Sequence, residues 1–408
     1  MATHAANDLA VATDTSTAPP EFFPLNGEYY LTDEWYQRDL EQIFYKQWLF
    51  AGHGTTIPEP GDYFVFELGT ESIIVARQND GGVKAFHNLC RHRGTRICPE
   101  RNREKGHLKK DFVCLYHGWS YKLDGALGNA PKMPEDLDKS KFGLKEAHCD
   151  EWNSLIFISL ADGEPPATIS QRFTEVDISA YDLPNSKVVA DMTYEIDANW
   201  KLVSENFIEC YHCSIVHPEL CHVYDPHDSV VGEKLSDRIA AQNELPPAAE
   251  TYHAFSLDGF LRPGRESLTM SGRPAVKRLL GDPTNPPTKN GALYAFPNFD
   301  FGILPDYFLV QSWLPISPTK TVFRNTFSVN KDAVEGEDYN VDELVALMDV
   351  TSREDLDITA QQDVVQSRAY EPGPYNPTLE AGVVEWMRSY HHIHRQAEEA
   401  ARKNGSAA

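Results

Sequence analysis

Two short segments each hold a cysteine and a histidine close together: Cys90-Arg-His92 and Cys114-Leu-Tyr-His117. Written as spacing, the pattern is C-x-H, then 21 residues, then C-x-x-H. A [2Fe–2S] cluster with two Cys on one iron and two His on the other needs this ligand set, and the imidazoles make the cluster less negative and raise its potential. The pattern therefore predicts such a cluster, held by two loops.

A structural zinc site is the alternative interpretation of the same residues, because two Cys and two His also suit zinc. Zinc fingers usually pair Cys with Cys and His with His, whereas each segment here mixes the two types. The mixed pairs favour the cluster. Gly94 and Gly118, which follow the two pairs, would permit tight turns beside it.

A second group of possible metal ligands comes later in the chain, where His212 and His217 precede Pro218. Residues five apart do not share one face of a regular helix. A helix that loosens before Pro218 could still bring both rings to one ion. Two His and one carboxylate, with open positions, form the site of non-haem Fe(II) oxygen activation. The alternative is a pair of ordinary helix histidines.

Cys210 and Cys213 flank His212 as C-x-x-C, which could indicate a zinc or redox motif. We disfavour that interpretation, because their thiolates would compete for the metal and no second C-x-x-C follows. The chain has seven cysteines, and an odd number without an export signal argues against a disulfide framework.

The elements that position these residues follow from periodicity and turn signals. Residues 31–48 form the first predicted helix, capped by Thr32, and short strands then build a compact, mostly β domain over residues 46–165. Predicted strands are residues 63–68, 72–76, 113–116, 155–160 and several within 293–329; predicted helices are 199–217, 340–370 and 378–403. Residues 238–291, rich in Pro, Gly and Asn, are typical of a long irregular segment that covers a substrate.

The composition limits the classes of partner. The chain has 408 residues, enough for two domains, and its formal net charge is −24. This acidity argues against nucleic acid or an anionic membrane as a partner. Residues 1–20 lack the features of a signal peptide, and no apolar run is long enough to span a membrane. We therefore expect a cytoplasmic protein with a loose N-terminal tail.

The two motifs together resemble those of the Rieske non-haem iron oxygenases, in particular their α subunits, over roughly residues 30–370. The resemblance implies an α+β fold, with a β-rich Rieske domain and a catalytic domain whose antiparallel sheet is covered by helices. We expect residues 1–45 to be a tail and helix joining the catalytic domain, 46–165 to be the Rieske domain and 166–408 to be the catalytic domain. The family also implies a head-to-tail homotrimer and a flavin- or ferredoxin-type reductase as partner.

The resemblance assigns roles residue by residue. The Rieske [2Fe–2S] cluster ligands correspond to Cys90, His92, Cys114 and His117. The ligands of a mononuclear Fe(II) correspond to His212, His217 and an Asp near the start of a late helix. That Asp is Asp355 or Asp357; we choose Asp355 because the family usually shows an Asp after a Glu here. Glu209 corresponds to the carboxylate that links the two centres across the subunit interface, a position that is typically Asp in ring-hydroxylating dioxygenases.

Residues 205–219, Glu-Asn-Phe-Ile-Glu-Cys-Tyr-His-Cys-Ser-Ile-Val-His-Pro-Glu, are most similar to the branch that acts on quaternary ammonium compounds, such as glycine betaine and carnitine. Ser367-Arg-Ala-Tyr370 is similar to that branch too. The resemblance implies O2-dependent hydroxylation of an N-methyl group, with release of formaldehyde. The alternatives are a dioxygenase of an aromatic ring, an electron carrier with two irons per chain, and a zinc-stabilised interaction protein.

Aromatic faces are the expected means of binding a quaternary ammonium, which cannot donate hydrogen bonds. The candidates lie in one segment dense in aromatic residues: Tyr294, Phe296, Tyr307 and Trp313. The alternative for each is a place in the core. Three histidines near the C-terminus, His391, His392 and His394, are predicted to be surface residues of a polar helix.

Overall fold

The computed structural model describes residues 23–99, 104–163, 167–226, 253–257, 259–376 and 379–405. The expected tail, residues 1–20, lies outside these ranges, as does much of the irregular segment, residues 238–252 and 258. Within the described ranges, no helix combines the length and the apolar character that a membrane span requires.

The N-terminal helical region begins earlier than predicted and consists of three pieces. Helix α1 is Gly27–Leu31, helix α2 is Asp33–Asp39, and a π-helical turn follows at Leu40–Phe44. The Thr32 hydroxyl caps α2 by accepting a hydrogen bond from the Trp35 backbone N–H, as the sequence predicts. The helical region ends at Phe44 and so does not reach residue 48 as predicted. Trp48 is buried in the core, and the first strand begins at Leu49.

The first half of the chain builds two antiparallel sheets. Its strands are β1 Leu49–His53, β2 Asp62–Leu68, β3 Glu71–Arg77, β4 Val83–His87, β5 Lys105–His107, β6 Phe112–Val113, β7 Ser120–Tyr121, β8 Leu127–Asn129, β9 Glu146–Trp152 and β10 Leu155–Ser159. The larger sheet has the order β1-β10-β9-β4-β3-β2-β5, and the smaller one is β6-β7-β8. The strand predicted over residues 113–116 is wrong beyond Val113, because Cys114 donates to the Trp119 carbonyl and closes a turn.

The described residues of the second half build a six-stranded antiparallel sheet. Its strands are β11 Ser186–Ile196, β12 His253–Ser256, β13 Gly291–Ala295, β14 Phe299–Ile303, β15 Phe308–Ser317 and β16 Lys320–Asn330, in the order β11-β16-β15-β14-β13-β12. Strand β14 alternates strictly: Phe299, Phe301 and Ile303 are buried in a hydrophobic core, and Asp300 and Gly302 face the opposite side. This architecture confirms the predicted α+β class.

The described helices of the second half are α3 Ile169–Arg172, α4 Trp200–Phe207, α5 Cys213–Val216, α6 Val341–Ala360 and α7 Ala381–Gly405, of which α4 and α6 pack on this sheet. The continuous helix predicted over residues 199–217 is wrong, because the chain leaves helical geometry after Phe207 and forms only one further turn at α5. Asn199 caps α4, its side chain accepting a hydrogen bond from the Lys201 N–H. The late helix also ends early, since a 3-10 segment replaces it at Gln361–Gln366.

Aromatic packing joins the two halves of the molecule. Phe299 of β14 lies 5.2 Å from Phe50 of β1 and 5.1 Å from Phe157 of β10, measured between ring centroids. All three side chains are buried. The larger sheet of the first half therefore packs directly on the second, which fixes the orientation of both.

A buried charge cluster ties the N-terminus and the C-terminal helix to α4. One carboxylate oxygen of Asp39 accepts hydrogen bonds from Lys201 Nζ and Trp200 Nε1. The other contacts the Tyr390 hydroxyl at 3.0 Å and His394 Nε2 at 3.2 Å. The prediction that His394 is a surface residue is therefore wrong: the segment is polar in sequence, but this side of α7 is buried.

We expect Asp39→Ala to destabilise the protein by about 3–5 kcal/mol, because it leaves the Lys201 ammonium buried without its partner. Glu146→Ala is the matched control, since it breaks an exposed pair with Lys84 and should cost less than about 1 kcal/mol. Denaturant unfolding of both variants gives the comparison. Equal losses of stability in the two variants would contradict the prediction.

Candidate metal centres

Each Cys-His pair lies on a loop that is closed by the same backbone hydrogen bond. The Cys90 N–H donates to the Thr95 carbonyl at 2.9 Å, and the Cys114 N–H donates to the Trp119 carbonyl at 2.8 Å. One loop follows β4 and the other joins β6 to β7. The fold therefore holds the two predicted pairs in equivalent turns.

Glycine is required in both turns. Gly94 and Gly118 have φ angles of +73° and +74°, a region that other residues rarely adopt. Each glycine also donates its N–H to the carbonyl of the cysteine four residues earlier, Cys90 or Cys114. The turns expected from the sequence are present beside both cysteines.

The four side chains of these loops converge. The Nδ1 atoms of His92 and His117 are 3.2 Å apart, and the Cys90 and Cys114 side chains are buried beneath them. His117 is exposed and His92 is partly exposed. Two inward thiols and two outward imidazoles fit a cluster whose histidine-bound iron lies nearest the surface.

Tyr121 is a neighbour of this group that the sequence analysis missed. Its hydroxyl lies 3.3 Å from Cys90 Sγ and accepts a hydrogen bond from the Arg91 N–H at 2.9 Å. Because the phenol oxygen accepts from Arg91, its own proton is available to the cysteine sulfur. Only the three-dimensional pairing of the loop with β7 brings these residues together.

The second predicted site also assembles. His212 Nε2 and His217 Nε2 are 3.2 Å apart, and Asp355 Oδ1 lies 3.2 Å from the first and 2.9 Å from the second. Ligands bound at about 2.1 Å and at right angles around one ion are about 3 Å apart. The three donor atoms therefore fit a single metal ion.

The break between α4 and α5 makes this arrangement possible. His212 precedes α5 and His217 follows it, so the two rings are not constrained to one helical face. Asp355 lies on α6 and its carboxylate accepts a hydrogen bond from the Asn206 amide at 2.7 Å. The structure brings Asp355 to the histidines and leaves Asp357 exposed on the same helix.

Carboxylates hold the outer nitrogens of both histidines. Glu209 Oε1 lies 2.6 Å from His212 Nδ1, and Glu354 Oε2 lies 2.8 Å from His217 Nδ1. Such contacts fix the tautomer and orientation of metal-binding imidazoles. The sequence analysis named Glu209 but missed Glu354, which sits next to Asp355 and could have been proposed from that position.

The ionisation of His212 and the ionisation of Asp355 depend on each other. Burial disfavours the charged form of His212, but hydrogen bonds with Asp355 and Glu209 outweigh it and raise the pKa of His212 to about 9. Burial likewise opposes ionisation of Asp355, yet both histidines hold the pKa of its carboxyl below the usual value. A metal ion binds the neutral imidazole, so it must displace protons on entering this site.

Cys213 is also close, with its sulfur 3.9 Å from His212 Nε2. It is joined to Cys210 by a disulfide, however, and a disulfide sulfur offers no thiolate to a metal. The two cysteines therefore do not compete for the metal, but for a reason that the sequence analysis did not foresee, since it treated both as thiolates and disfavoured a redox motif.

A cavity of about 270 Å³ opens beside the His212 site. Among its described lining residues are five aromatics, Phe207, Tyr224, Phe260, Tyr294 and Phe301. The other three aromatics predicted to contact substrate do not line it, because they are buried in the hydrophobic cores: Phe296, Tyr307 and Trp313. Phe296 and Tyr307 lie just outside strands β13 and β15, and Trp313 packs against Phe207 and Phe323, contacts that aromatic content alone could not reveal.

Comparison with sequence families divides the chain in the same way as the two sites. Residues 47–147 match the Rieske [2Fe-2S] domain, and residues 183–395 match the ring hydroxylating alpha subunit (catalytic domain). The first match favours the iron–sulfur cluster over zinc. The second adds a catalytic domain, which a simple electron carrier lacks.

Several relatives match over most of the chain. The glycine betaine monooxygenase oxygenase subunit of Pseudomonas aeruginosa is 36% identical, over 90% of this chain and 88% of the relative. The subunit of the same name from Chromohalobacter salexigens is 35% identical, over 86% and 81%. The large oxygenase component of the naphthalene 1,2-dioxygenase system of Pseudomonas putida is 34% identical, but over only 53% of this chain and 47% of the relative.

Solved structures support the fold. The quaternary ammonium Rieske monooxygenase CntA, in complex with L-carnitine, superposes with a TM-score of 0.65 at 19% identity, covering 91% of this chain and 96% of that one. A naphthalene 1,2-dioxygenase mutant superposes with a TM-score of 0.61 at 23% identity, covering 93% and 94%. Both share the architecture described above.

We expect Asp355→Asn to lower the iron content from three to two atoms per chain, because the weaker amide ligand replaces a carboxylate. The visible absorbance of the cluster should be unchanged. Asp357→Asn is the control, because the Asp357 side chain is exposed on the same helix, and this variant should keep all three iron atoms. Iron analysis of both variants measures the difference. Loss of iron from Asp357→Asn alone would show that Asp357, not Asp355, is the third ligand.

We expect Tyr121→Phe to lower the reduction potential of the cluster. A hydrogen bond to sulfur stabilises the reduced, more negative state, and a bond worth about 1 kcal/mol corresponds to roughly 40 mV. Tyr116→Phe, on an exposed ring beside His117, is the control and should leave the potential unchanged. A redox titration followed by absorbance measures both, and equal potentials in all proteins would exclude the Tyr121 contact.

Proposed function

We propose that this chain, which belongs to the Rieske non-haem iron oxygenases and carries both domains of their α subunits, hydroxylates an N-methyl group of a quaternary ammonium compound. The observation that carries the proposal is the similarity, over nearly the whole chain, to two glycine betaine monooxygenase subunits. A cavity with aromatic walls beside the His212 site suits such a substrate, because a methylated ammonium binds against aromatic faces.

The family binds a [2Fe–2S] cluster and a mononuclear iron, which when bound supply electrons and activate O2. In the proposed reaction, O2, two electrons and two protons convert the N-methyl carbon to a carbinol and release water. The carbon–nitrogen bond then breaks, and the products are the demethylated amine, formaldehyde and a proton. We assign Cys90, His92, Cys114 and His117 to the cluster, and His212, His217 and Asp355 to the iron.

We assign Glu209 to the contact between the two centres of neighbouring subunits in a homotrimer. Exposed apolar residues beside both sites support an assembly: Leu115 next to the cluster loop and Ile215 next to His212, with 85% and 86% of their surfaces accessible. Contiguous exposed apolar residues mark surfaces that another chain covers, and Leu115 has two exposed apolar neighbours in the chain, Val113 and Tyr116. A head-to-tail ring would place one site of each subunit against the other site of the next.

The remaining parts of the proposal concern organisation and partners. The domain boundaries that we propose are 1–45, 46–165 and 166–408, and strands β1 to β10 fall within the second range. The contacts of Asp39 with α4 and α7 support a first segment that joins the catalytic domain. We further propose a flavin- or ferredoxin-type reductase as electron donor and a cytoplasmic location.

Product analysis tests the substrate class. Purified protein, reductase and O2 should release formaldehyde from glycine betaine or a related methylated ammonium, with one molecule of formaldehyde formed for each molecule of O2 consumed. The control assay uses a non-aromatic amine that lacks N-methyl groups and should release no formaldehyde. A diol or phenol from an aromatic substrate, with no formaldehyde from any methylated ammonium, would support a ring dioxygenase instead.

We expect Glu209→Gln to keep three irons per chain and to lower turnover at least about 100-fold, because the amide loses the charge that orients His212. Glu209→Asp keeps the charge and should restore part of the activity. The measurement is the rate at which O2 and substrate reoxidise the reduced cluster. Reoxidation of Glu209→Gln at the wild-type rate would refute the linking role.

A further inference from the structure

The cavity contains a carboxylate that neither metal site uses. Asp300 lies on β14, on the side of the strand opposite the core residues Phe299 and Phe301, and it lines the cavity. Its neighbours across the sheet are Tyr294 on β13 and Gln311 on β15, which line the cavity too. Asp300 is therefore the middle of a polar row on the cavity wall.

The hydrogen bonds of this row lead away from Asp300. The Gln311 amide donates to Asn325 Oδ1 at 2.9 Å, and the Asn325 amide donates to the Ser352 hydroxyl at 2.8 Å. Among the described residues, no hydrogen bond or ion pair involves the Asp300 carboxylate, and no Lys or Arg lines the cavity. The protein thus provides this carboxylate with no cationic partner in the part of the chain that the structure describes.

The other two carboxylates of the cavity are already engaged. Glu209 contacts His212, and Asp355 contacts both histidines and accepts from Asn206. Asp300 differs from them because burial alone raises its pKa, to about 8. An isolated buried carboxylate is costly unless it is paired, so a cation beside it would stabilise its ionised form.

Space for a ligand exists next to this carboxylate. Gly302 is two residues further along the same face of β14, and a side-chain carbon added there would have no neighbour within 4 Å. Its cross-strand partner is Ala292, another small residue that lines the cavity. The wall beside Asp300 therefore leaves open volume where larger residues would fill it.

We propose that the Asp300 carboxylate is the counter-ion of the substrate, and that it pairs with the positively charged, N-methylated head group. This inference rests on the proposed function, because it names the residue that would select a cation in that same cavity. A quaternary nitrogen offers no hydrogen-bond donor, so charge and aromatic faces are what the protein can use to recognise it. Asp300 supplies the charge, and Tyr294, its cross-strand neighbour, supplies a ring in the same wall.

Matched pairs of ligands test the role without turnover. Choline and 3,3-dimethylbutan-1-ol have the same shape, but only choline is charged; glycine betaine and 3,3-dimethylbutanoate form a second pair. Binding to the anaerobic, iron-loaded protein is measured by calorimetry for the wild type, Asp300→Asn and Asp300→Glu. The control is Asp332→Asn, which removes the same charge from an exposed position outside the cavity.

We expect the wild type and Asp332→Asn to prefer the member of each pair that has the cationic head group, which is choline or glycine betaine. Asp300→Asn should weaken binding of that member about 10- to 100-fold and leave the binding of the neutral alcohol 3,3-dimethylbutan-1-ol unchanged. Asp300→Glu, which keeps the charge, should retain part of the preference. Three irons per chain in Asp300→Asn would show that the variant is folded and its metal sites intact.

The contrary outcomes are distinct. If the wild type prefers the charged member and Asp300→Asn keeps that preference, the counter-ion role is wrong and the substrate class stands. If the wild type shows no preference for charge in either pair, or binds neither member, both the proposed substrate class and the role of Asp300 are wrong. Equal weakening of both members by Asp300→Asn would make Asp300 a structural residue and also overturn the inference.

Discussion

The convergence of His212, His217 and Asp355 on one point is the constraint from which the rest of the structure follows. Donor atoms about 3 Å apart cannot come from residues five apart on an intact helix. The chain therefore interrupts the helix after Phe207 and takes the third donor from a distant helix, α6. Only a rigid surrounding fold can hold such an irregular segment in position.

Several buried contacts provide that rigidity. The Ser204 hydroxyl of α4 accepts a hydrogen bond from the Trp313 indole at 2.7 Å, which attaches the helix to strand β15 of the six-stranded sheet. The next contact along α4, from Lys201 to Asp39, reaches the N-terminal and C-terminal helices. A helix of eight residues thus gains its stability from tertiary contacts rather than from its own length. The orientation of the metal ligands depends on elements at both ends of the chain.

The sequence predicted the sites better than it predicted their surroundings. Spacing of Cys and His is a local property, so the cluster loops and the histidine pair could be found without a structure. The choice between Asp355 and Asp357 depends on which side of α6 faces the histidines, and two acidic residues separated by one position do not reveal which side that is. Tyr121 and His394 acquire their roles only through contacts with residues far away in the sequence, which no local pattern encodes.

Strand β14 separates two tasks between alternate residues. Phe299 belongs to the core that joins the halves of the molecule, Phe301 belongs to that core and also lines part of the cavity, and Asp300 and Gly302 face the cavity. A side chain added at Gly302 would meet no neighbouring atom within 4 Å. Substitution at this position can therefore change the shape of the cavity, and with it the molecules that the enzyme accepts, at little cost in folding. The strand offers natural selection and protein engineers a direct route to new specificities on the same scaffold.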